Sequence, residues 1–214
     1  MFHGLSVLYC MTTSNPKCRS CAPKRVSAVS GGCQWTTQIA FGSPFEGADF
    51  IKMDKTCRIR PALSTEAACI SALAICSKAS WGYPEEQMAV FQRELILIEE
   101  HIAPKRTHVL EADGAIVGFY TLVPHDATTL ELEHLFIEPT KLRQGYGSQL
   151  FRHARQIAQE ANFRVLVIQS DPHAVGFYRA LGARLTHEIP SSIPGRSIPY
   201  FELDLEEPES AQHL

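Results

Sequence analysis

The sequence predicts one α/β (α+β) domain over residues 56–205, and two patterns carry this prediction. Residues 107–137 contain three apolar runs of strand length. The first two are joined by the hairpin turn Asp113-Gly114 and the last two by a second polar turn, which is typical of an antiparallel meander. Residues 130–182 then run strand, glycine turn, helix, strand, helix. Because no linker or repeat interrupts 56–205, we expect all these elements to belong to one domain.

Local signals predict each helix and strand along the chain. Alternating side chains over Cys57 to Pro61 indicate the first strand. Ser64 is expected to be the N-cap of a helix with an acid in its first turn. Pro84 followed by two glutamates indicates the start of a second helix, expected to continue to about Glu100. The remaining elements are predicted as strands at 107–112, 115–123, 129–137, 165–168, 183–188 and 197–205 and as helices at 148–161 and 174–181.

The N-terminal segment, residues 1–55, shows no helical or strand period, and glycine, proline, serine and cysteine are scattered through it. Such a segment buries too little apolar surface to offset its chain entropy, so a disordered extension is expected. Two alternatives stay open for it. A start at Met53 would remove it, and a four-thiolate zinc site would order it. That zinc site would use Cys10, Cys18, Cys21 and Cys33. Residues 206–214 are expected to be a polar tail.

Composition excludes several classes of protein. The seven cysteines are odd in number and follow no repeated spacing, so we expect free thiols in a reducing compartment, the cytoplasm. Cys69 and Cys76 lie in an apolar helical pattern and are expected to be small core residues. No apolar run approaches the roughly 18 residues of a membrane span. Residues 1–52 carry an excess of basic side chains, so the domain itself is acidic, which disfavours nucleic acid as a partner.

A glycine turn, Gly-Tyr-Gly at residues 145–147, separates a predicted strand from a predicted helix. Glycine lets the backbone turn sharply and approach a ligand closely, and the free amides of a first helical turn bind phosphate. Lys141 and Arg143 add positive charge beside the turn. No lysine follows the glycines as in a P-loop, and Leu150 replaces the third glycine of the dinucleotide fingerprint. Two interpretations of the glycine turn remain, namely a phosphate site of another family and a simple turn.

Residues 142–147 read Leu-Arg-Gln-Gly-Tyr-Gly after a strand that ends near a proline. This hexapeptide resembles the acetyl-CoA loop, Gln/Arg-x-x-Gly-x-Gly/Ala, of the GNAT superfamily of acetyl-CoA-dependent N-acetyltransferases. Leu142 departs from the leading Gln/Arg of that loop. Since such a loop holds pyrophosphate mainly by backbone amides, the glycines are the part of the motif that matters most.

Residues 171–183 carry a second motif beyond the next strand. They resemble the superfamily pattern Asn-x-x-Ala-x-x-Phe/Leu-Tyr-x-x-x-Gly-Phe. Ala174, Tyr178 and Gly182 match it, whereas aspartate replaces asparagine at its start and alanine replaces phenylalanine at its end. Two motifs in order, with a strand between them, identify the chain as similar to this superfamily over roughly 57–205.

The resemblance implies a GNAT-like mixed, mostly antiparallel central sheet flanked by helices. It also implies direct transfer of an acetyl group from acetyl-CoA to an amine, without a metal. The residues expected to bind acetyl-CoA are Phe136, Ile137, Leu142, Arg143, Gln144, Gly145, Tyr146, Gly147, Ser148, Asp171 and Tyr178. Of these, Phe136 and Ile137 are expected to pair with the pantetheine arm like an added strand, and Asp171 to orient the pantetheine or Tyr178.

Three residues are catalytic candidates. Tyr178 stands where the family often has the phenol that donates a proton to the departing sulfur, while the structural alternative is a ring that packs its helix on the sheet. For the general base, strand alternation predicts Glu131 and Glu133 on one face, opposite Leu132 and His134. A solvated strand face is the structural alternative for both glutamates. His134 is a further candidate for proton relay or a core histidine.

Acceptor recognition is expected from Trp81, Tyr83 and the 190–199 loop, in which Arg196 is a candidate carboxylate clamp. The acceptor is expected to be the amine of a small molecule or a peptide, and a homodimer is left open. Two other function classes remain. One is a non-catalytic acyl-CoA-binding sensor on the same fold, and the other is a thiol or zinc interaction module at 1–55.

Overall fold

Seven strands pair into one sheet in the structure, a computed structural model that describes residues 57–99, 102 and 106–206. The strands are β1 (Cys57–Pro61), β2 (Thr107–Ala112), β3 (Ala115–Pro124), β4 (Thr129–Ile137), β5 (Val165–Gln169), β6 (Arg184–Pro190) and β7 (Ser197–Asp204). Their order across the sheet is β1-β2-β3-β4-β5-β7-β6. β4 and β5 pair in parallel and the other neighbours pair antiparallel. The mixed, mostly antiparallel sheet is therefore confirmed.

Helices cover the sheet and connect its parallel pair. In the described residues they are α1 (Ala67–Ala79), α2 (Glu85–Glu94), α3 (Tyr146–Glu160) and α4 (Val175–Ala180). Parallel neighbours need a crossover connection, and α3 supplies the one between β4 and β5. Within the described parts of the chain, no helix has both the length and the apolar composition that a bilayer span requires.

Two apolar clusters hold the helices on the sheet. Phe119 and Tyr120 are consecutive in β3, are both fully buried and belong to different clusters, as strand alternation requires. Tyr120 shares its cluster with Leu150 and Phe151 of α3, whereas Phe119 shares its cluster with Leu73 of α1. Burial of each such side chain stabilises the fold by about 1.5–3 kcal/mol. The strands between these helices are therefore held firmly enough to position a site.

The predicted bounds of β1, β2 and β4 are those of the structure, but α2 ends at Glu94 rather than near Glu100. Leu95 and Leu97 are both buried, and a spacing of two residues suits extended chain better than a helix. The backbone amide of Leu97 donates a 2.8 Å hydrogen bond to the buried Ser71 hydroxyl of α1. Packing and this bond together end α2 earlier than its start signal suggested.

Two further local expectations are wrong. Ser64 begins a short 3₁₀ turn with Leu63 at its N-cap position, and Glu66, whose side chain accepts the Leu63 amide at 2.8 Å, precedes α1. Cys69 is buried as expected, but Cys76 is exposed. The predictions for residues 1–55, for the end of the helical region at 103–105 and for the tail at 207–214 lie outside the described residues.

Candidate active site

A cleft opens where β4 and β5 separate. Their parallel pairing covers only residues 129–131 and 165–167. Within the described chain, residues 132–137 of β4 therefore have no strand partner on the side of β5. A cavity of about 680 Å³ lies here, lined by α1, α2, β4, the turn before α3, the chain after β5, α4 and the loop between β6 and β7. The open edge expected at Phe136 and Ile137 is present, and its pairing with pantetheine stays a prediction.

The glycine turn is on the wall of this cleft. Gly145 is the N-cap of α3 with a φ of 84°, a left-handed conformation that favours glycine. A Cβ on Gly147 would lie 3.2 Å from a ring carbon of Phe177, so the helix start and α4 approach each other closely. Among the described residues, no side chain caps α3 and its first turn holds no acid, while Lys141 and Arg143 line the cleft. This arrangement leaves backbone amides and positive charge for an anion.

A bulge in β4 changes which of its side chains share a face. Thr121 pairs with His134 and Leu122 pairs with Leu132, so Glu133 is an extra residue without a partner in β3. The strict alternation expected over 131–134 is therefore wrong. Glu133 Oε2 lies 3.5 Å from His134 Nδ1, and both side chains line the cleft. Two consecutive polar residues at the bulge therefore border the same cavity.

Glu131 and Glu133 have different environments. Glu133 lines the cleft with 47% of its side chain exposed. Glu131 lies in the segment of β4 that still pairs with β5, and it is not among the cleft-lining residues. Burial, followed by the neighbouring charge of Glu133, raises the pKa of Glu131 above its ordinary value. Of the two predicted bases, only Glu133 can meet a molecule in the cleft directly.

His134 is a feature that the sequence alone left ambiguous. Its Nδ1 is buried and has no hydrogen-bond partner among the described residues. Burial lowers the pKa of the imidazole, because the charged form loses its hydration, and Glu133 only partly offsets this. The rings of Phe119 and Phe136 lie 6.1 and 6.0 Å from it. His134 is therefore a neutral imidazole that lines the cleft and can accept a proton.

Tyr178 combines the two roles weighed for it. Its ring packs against Phe151, Phe177 and Phe201, and the residue is 7% exposed. It also lines the cleft. Burial, and secondarily the charge of Asp171, raises the pKa of the phenol, so its proton is retained at neutral pH. The packing interpretation and the donor prediction are compatible.

Asp171 joins a charged cluster rather than standing alone after β5. It accepts hydrogen bonds from Lys78 Nζ at 2.5 Å, from the Tyr83 hydroxyl at 2.8 Å and from the His173 amide at 2.9 Å. Arg196 Nη2 lies 3.6 Å from the same carboxylate. Burial opposes ionisation of Asp171, but the Lys78 hydrogen bond and charge keep its pKa below the ordinary value. Its predicted role towards pantetheine or Tyr178 stays a prediction.

Lys78 was not found from the sequence. It lies in the last turn of an apolar helix, and 93 positions separate it from Asp171. Burial lowers the pKa of its ammonium despite the bond to Asp171. A lone lysine near a helix C-terminus is ordinarily a solvated residue that complements the helix dipole, so no sequence signal marks it.

The remaining predicted residues divide between the cleft wall and positions behind it. Trp81 lines the cleft and stacks on His173 with ring centroids 4.9 Å apart. Tyr83 lies behind Asp171 and Arg196 and is not among the lining residues. The Tyr146 ring is buried in the core, so only its backbone can face the turn. Gln144 is exposed and donates to the Thr140 carbonyl at 3.1 Å. The predicted residues that line the cleft are Trp81, Glu133, Phe136, Ile137, Leu142, Arg143, Gly145, Gly147, Ser148, Asp171, Tyr178 and Arg196.

Comparison with known families accounts for this arrangement. The sequence model of the Acetyltransferase (GNAT) family matches residues 72–183, which include β4, the glycine turn, α3 and Tyr178. The chain belongs to the GNAT acetyltransferase family. The match covers most of the cleft wall but excludes Arg196 and the loop between β6 and β7.

Individual relatives are distant. The UPF0039 protein C11D3.02c of Schizosaccharomyces pombe is 24% identical over 97 residues, which are 44% of this chain and 63% of that protein. The match thus spans less than two thirds of that relative. A GCN5-related N-acetyltransferase of Rhodopseudomonas palustris shares the fold with a TM-score of 0.59 and 20% identity, over 69% of this chain and 94% of its own. The PaiA N-acetyltransferase of Thermoplasma acidophilum, solved with coenzyme A, shares the fold with a TM-score of 0.57 and 18% identity. The comparison covers 70% of this chain and 99% of that protein.

Proposed function

We propose that the protein is an N-acetyltransferase that moves an acetyl group from acetyl-CoA to an amine of a small molecule or peptide by direct attack. One observation carries this proposal. A single cleft brings together the uncapped start of α3, the unpaired edge of β4, a buried phenol and the Glu133–His134 pair. Family membership supports acyl transfer as the chemistry.

The cleft fits acetyl-CoA as the co-substrate. The amides of the first turn of α3, with Lys141 and Arg143 beside them, supply what a pyrophosphate requires. The open edge at residues 132–137 offers backbone groups to the amides of a pantetheine arm, in the manner of an added strand. The Thermoplasma acidophilum enzyme of the same fold was solved with coenzyme A, which further supports this choice.

Proton removal from the amine is assigned to Glu133 and His134. An acceptor amine is protonated at neutral pH and must lose protons to attack the thioester carbon. Glu133 lines the cleft, is partly solvated and can attract the ammonium. Neutral His134, 3.5 Å away, can receive the proton and pass it to solvent through Glu133. Glu131 is outside the cleft lining, so we do not assign it the role of base.

Tyr178 is proposed to stabilise the departing sulfur. When the new C–N bond forms and the C–S bond breaks, negative charge develops on the thiolate, whose ordinary pKa is about 8.5. The pKa of Tyr178 is raised above that of a free phenol, so complete proton transfer from it to sulfur is unfavourable. A hydrogen bond from the retained phenol proton still stabilises the developing charge. Tyr178 thus acts as a donor of a hydrogen bond, and the thiolate finally takes its proton from solvent.

Turnover of acetyl-CoA with a panel of amines tests the proposal. Release of the free thiol is followed continuously, and the N-acetyl product is identified by mass. We expect at least one amine to raise thiol release well above the rate of simple hydrolysis. Binding of acetyl-CoA without turnover by any amine would favour the non-catalytic sensor. Absence of binding would contradict the assignment of the cleft.

Cysteine chemistry supports a reducing compartment, the cytoplasm, as the proposed place of action. In the described residues the sulfurs of Cys57, Cys69 and Cys76 form no disulfide. Thiol titration of the freshly isolated protein from its own cells checks this proposal. Disulfide-linked peptides among these three cysteines would contradict it.

A further inference from the structure

A charged cluster forms a second part of the cleft wall, on elements other than β4. Lys78 comes from α1, Tyr83 from the loop before α2, Asp171 from the chain after β5 and Arg196 from the loop before β7. The side chains of Lys78, Asp171 and Arg196 are only 12–15% exposed, and all three residues line the cavity. Two cations therefore face one anion in a poorly solvated place.

Asp171 is already satisfied within this cluster. One oxygen accepts from the His173 amide and the other from Lys78, and the single hydroxyl proton of Tyr83, 2.8 Å from both oxygens, is shared between them. Lys78 neutralises its charge at 2.5 Å. The Asp171 carboxylate consequently has little capacity left for a second cation.

Arg196 is left with unused donors. Its nearest approach to Asp171 is 3.6 Å, which permits attraction between the charges but is too long for a hydrogen bond. Among the described residues its guanidinium makes one hydrogen bond, a long one of 3.4 Å to the Tyr83 hydroxyl. A guanidinium has five N–H donors, so most of those on Arg196 have no protein partner among the described residues. Arg196 lines the cavity, so these donors are available to a ligand that enters it.

The loop that carries Arg196 is held in shape before any ligand arrives. The Ser191 amide donates to the Arg196 carbonyl at 2.8 Å, and the Arg196 amide donates to the Ile193 carbonyl at 3.1 Å. The guanidinium also lies over the rings of Phe91 and Tyr83, with its carbon 5.3 and 5.7 Å from their centroids. Backbone bonds and ring contacts together fix the direction of the donors.

We propose that Arg196 binds the carboxylate of the acceptor, and that the acceptor is a small amino-acid-type molecule carrying both this carboxylate and the reacting amine. This inference rests on the proposed acetyl transfer. A planar guanidinium with free parallel donors matches a carboxylate in bidentate fashion. Glu133, on the β4 side of the same cavity, attracts the ammonium group. The cleft therefore has a cationic and an anionic part, as a zwitterionic amino acid requires.

The enclosure of Arg196 favours a small molecule over a protein substrate. Its side chain is 15% exposed, and the stacked rings of Trp81 and His173 lie on the same cavity wall. An anion reaches the guanidinium only by entering the cavity. A small molecule that carries both a carboxylate and an amine can do so, and Glu133 lines the same cavity.

Matched acceptors test this inference. The panel consists of the proteinogenic amino acids and their α-carboxamides, which have nearly the same shape but no carboxylate. For the best amino acid we expect kcat/KM to exceed that of its carboxamide by about 10- to 100-fold, the usual worth of hydrogen bonds to a charged group. Arg196→Gln should remove this preference by raising the KM for the acid, with the KM for acetyl-CoA changed less than about twofold.

Two further variants keep the result interpretable. Arg196→Lys retains the charge but not the bidentate geometry, so it should keep part of the preference. Arg184→Gln removes an exposed arginine of β6, 76% exposed, and should leave all constants unchanged. Equal activity of wild-type protein on acids and carboxamides would overturn the inference while leaving the proposed transferase intact.

A binding measurement covers the case in which no amine is acetylated. Trp81 stacks on His173 at the cavity, so its fluorescence reports occupancy, and Trp81→Phe corrects for the other tryptophan. In the coenzyme A complex, amino acids should change this signal and carboxamides should not. If amino acids change the fluorescence but no amine is acetylated, the carboxylate site would be supported and the proposed transferase activity would be refuted. No selective change in either assay would overturn the carboxylate site.

Discussion

The proposed coenzyme side and the proposed acceptor side of the cleft differ in composition. The coenzyme side consists mainly of backbone in one continuous stretch, namely the open edge of β4 and the glycine turn before α3. The acceptor side consists of side chains, and 93 positions separate Lys78 from Asp171. Backbone sites tolerate many sequences provided that nothing blocks them, whereas side-chain clusters depend on each member. Substitutions on the two sides should therefore have different consequences.

The largest effect is expected when the backbone site is blocked. Gly147→Asp places a carboxylate beside the proposed pyrophosphate site, and its Cβ lies 3.2 Å from the Phe177 ring. Like charges about 4 Å apart at a protein surface repel by up to about 4 kcal/mol, and we expect the Kd for acetyl-CoA to rise by about 100-fold, which lies within that limit. Isothermal titration measures it.

Gly176→Asp is the matched control for this change. Gly176 is exposed in α4, a Cβ there would have open space, and it is not among the cleft-lining residues. Its Kd should stay within about threefold of wild type, because the added charge is solvated and screened. Equal losses in the two variants would contradict the assignment of the glycine turn.

Breaking one partner of the side-chain cluster should affect stability strongly. Lys78→Met removes the hydrogen-bonded counter-charge of the enclosed Asp171 carboxylate and leaves only the more distant Arg196, and such losses cost about 3 kcal/mol. The double variant Lys78→Met/Asp171→Asn should recover most of this, since a buried ion pair is worth little more than well-packed neutral groups. Urea denaturation of the two variants measures the free energies of unfolding.

The exposed pair Arg184–Glu202 provides the control for that comparison. Its two side chains are 76% and 37% exposed, so Arg184→Met should change the free energy of unfolding by less than about 1 kcal/mol. If Lys78→Met changed the free energy of unfolding as little as Arg184→Met, the cluster would not be an enclosed ionic site.

A smaller effect is expected for Tyr178→Phe. The ring packing is retained and only the hydroxyl is lost, so kcat should fall by about 10-fold with little change in either KM, as expected for one hydrogen bond made to developing charge. Steady-state kinetics with the best acceptor measures it. Tyr200→Phe, on β7 and not among the cleft-lining residues, serves as the control. Unchanged kcat in Tyr178→Phe would remove this residue from the chemistry.

The smallest effect is a dependence of stability on acid pH. The folded state lowers the pKa of Asp171 below the ordinary aspartate value of about 3.9, so its stabilisation is complete above that pH and is lost as the pH falls through the lower, folded value. Between pH 5 and pH 3, wild-type protein should therefore lose more stability than Lys78→Met/Asp171→Asn. Parallel thermal unfolding curves at these pH values measure the difference, and identical losses would show that Asp171 is not stabilised by its neighbours.

The strands and the coenzyme side could be predicted because their signals are local. Apolar runs bounded by turns gave the bounds of β2 and β4, and Asp113-Gly114 marked the hairpin that joins β2 to β3. The glycine turn was recognisable because Gly145 and Gly147 lie between an apolar run and a helical pattern, and the φ of 84° at Gly145 is one that favours glycine. These features depend on neighbours a few positions away, which a sequence displays directly.

Other features depended on contacts that no local pattern encodes. The bulge at Glu133 arises from the register between β3 and β4, and it overturned the alternation expected around His134. The end of α2 depends on burial of Leu97 against Ser71 of another helix. Lys78 resembled an ordinary residue of a helix C-terminus until the chain brought Asp171 to it.

The amino-acid sequence by itself determined the order of strands and helices, the glycine turn and the family of this protein, because each is encoded in consecutive residues. Only the tertiary structure decided which side chains meet in the cleft. In the structure, Glu133 and His134 line one cavity, whereas Glu131 and Tyr83 do not line it. Arg196 has donors without a protein partner among the described residues, beside an Asp171 whose oxygens are already hydrogen-bonded. These outcomes depend on register and long-range packing, whose energies arise between residues that are far apart in the chain.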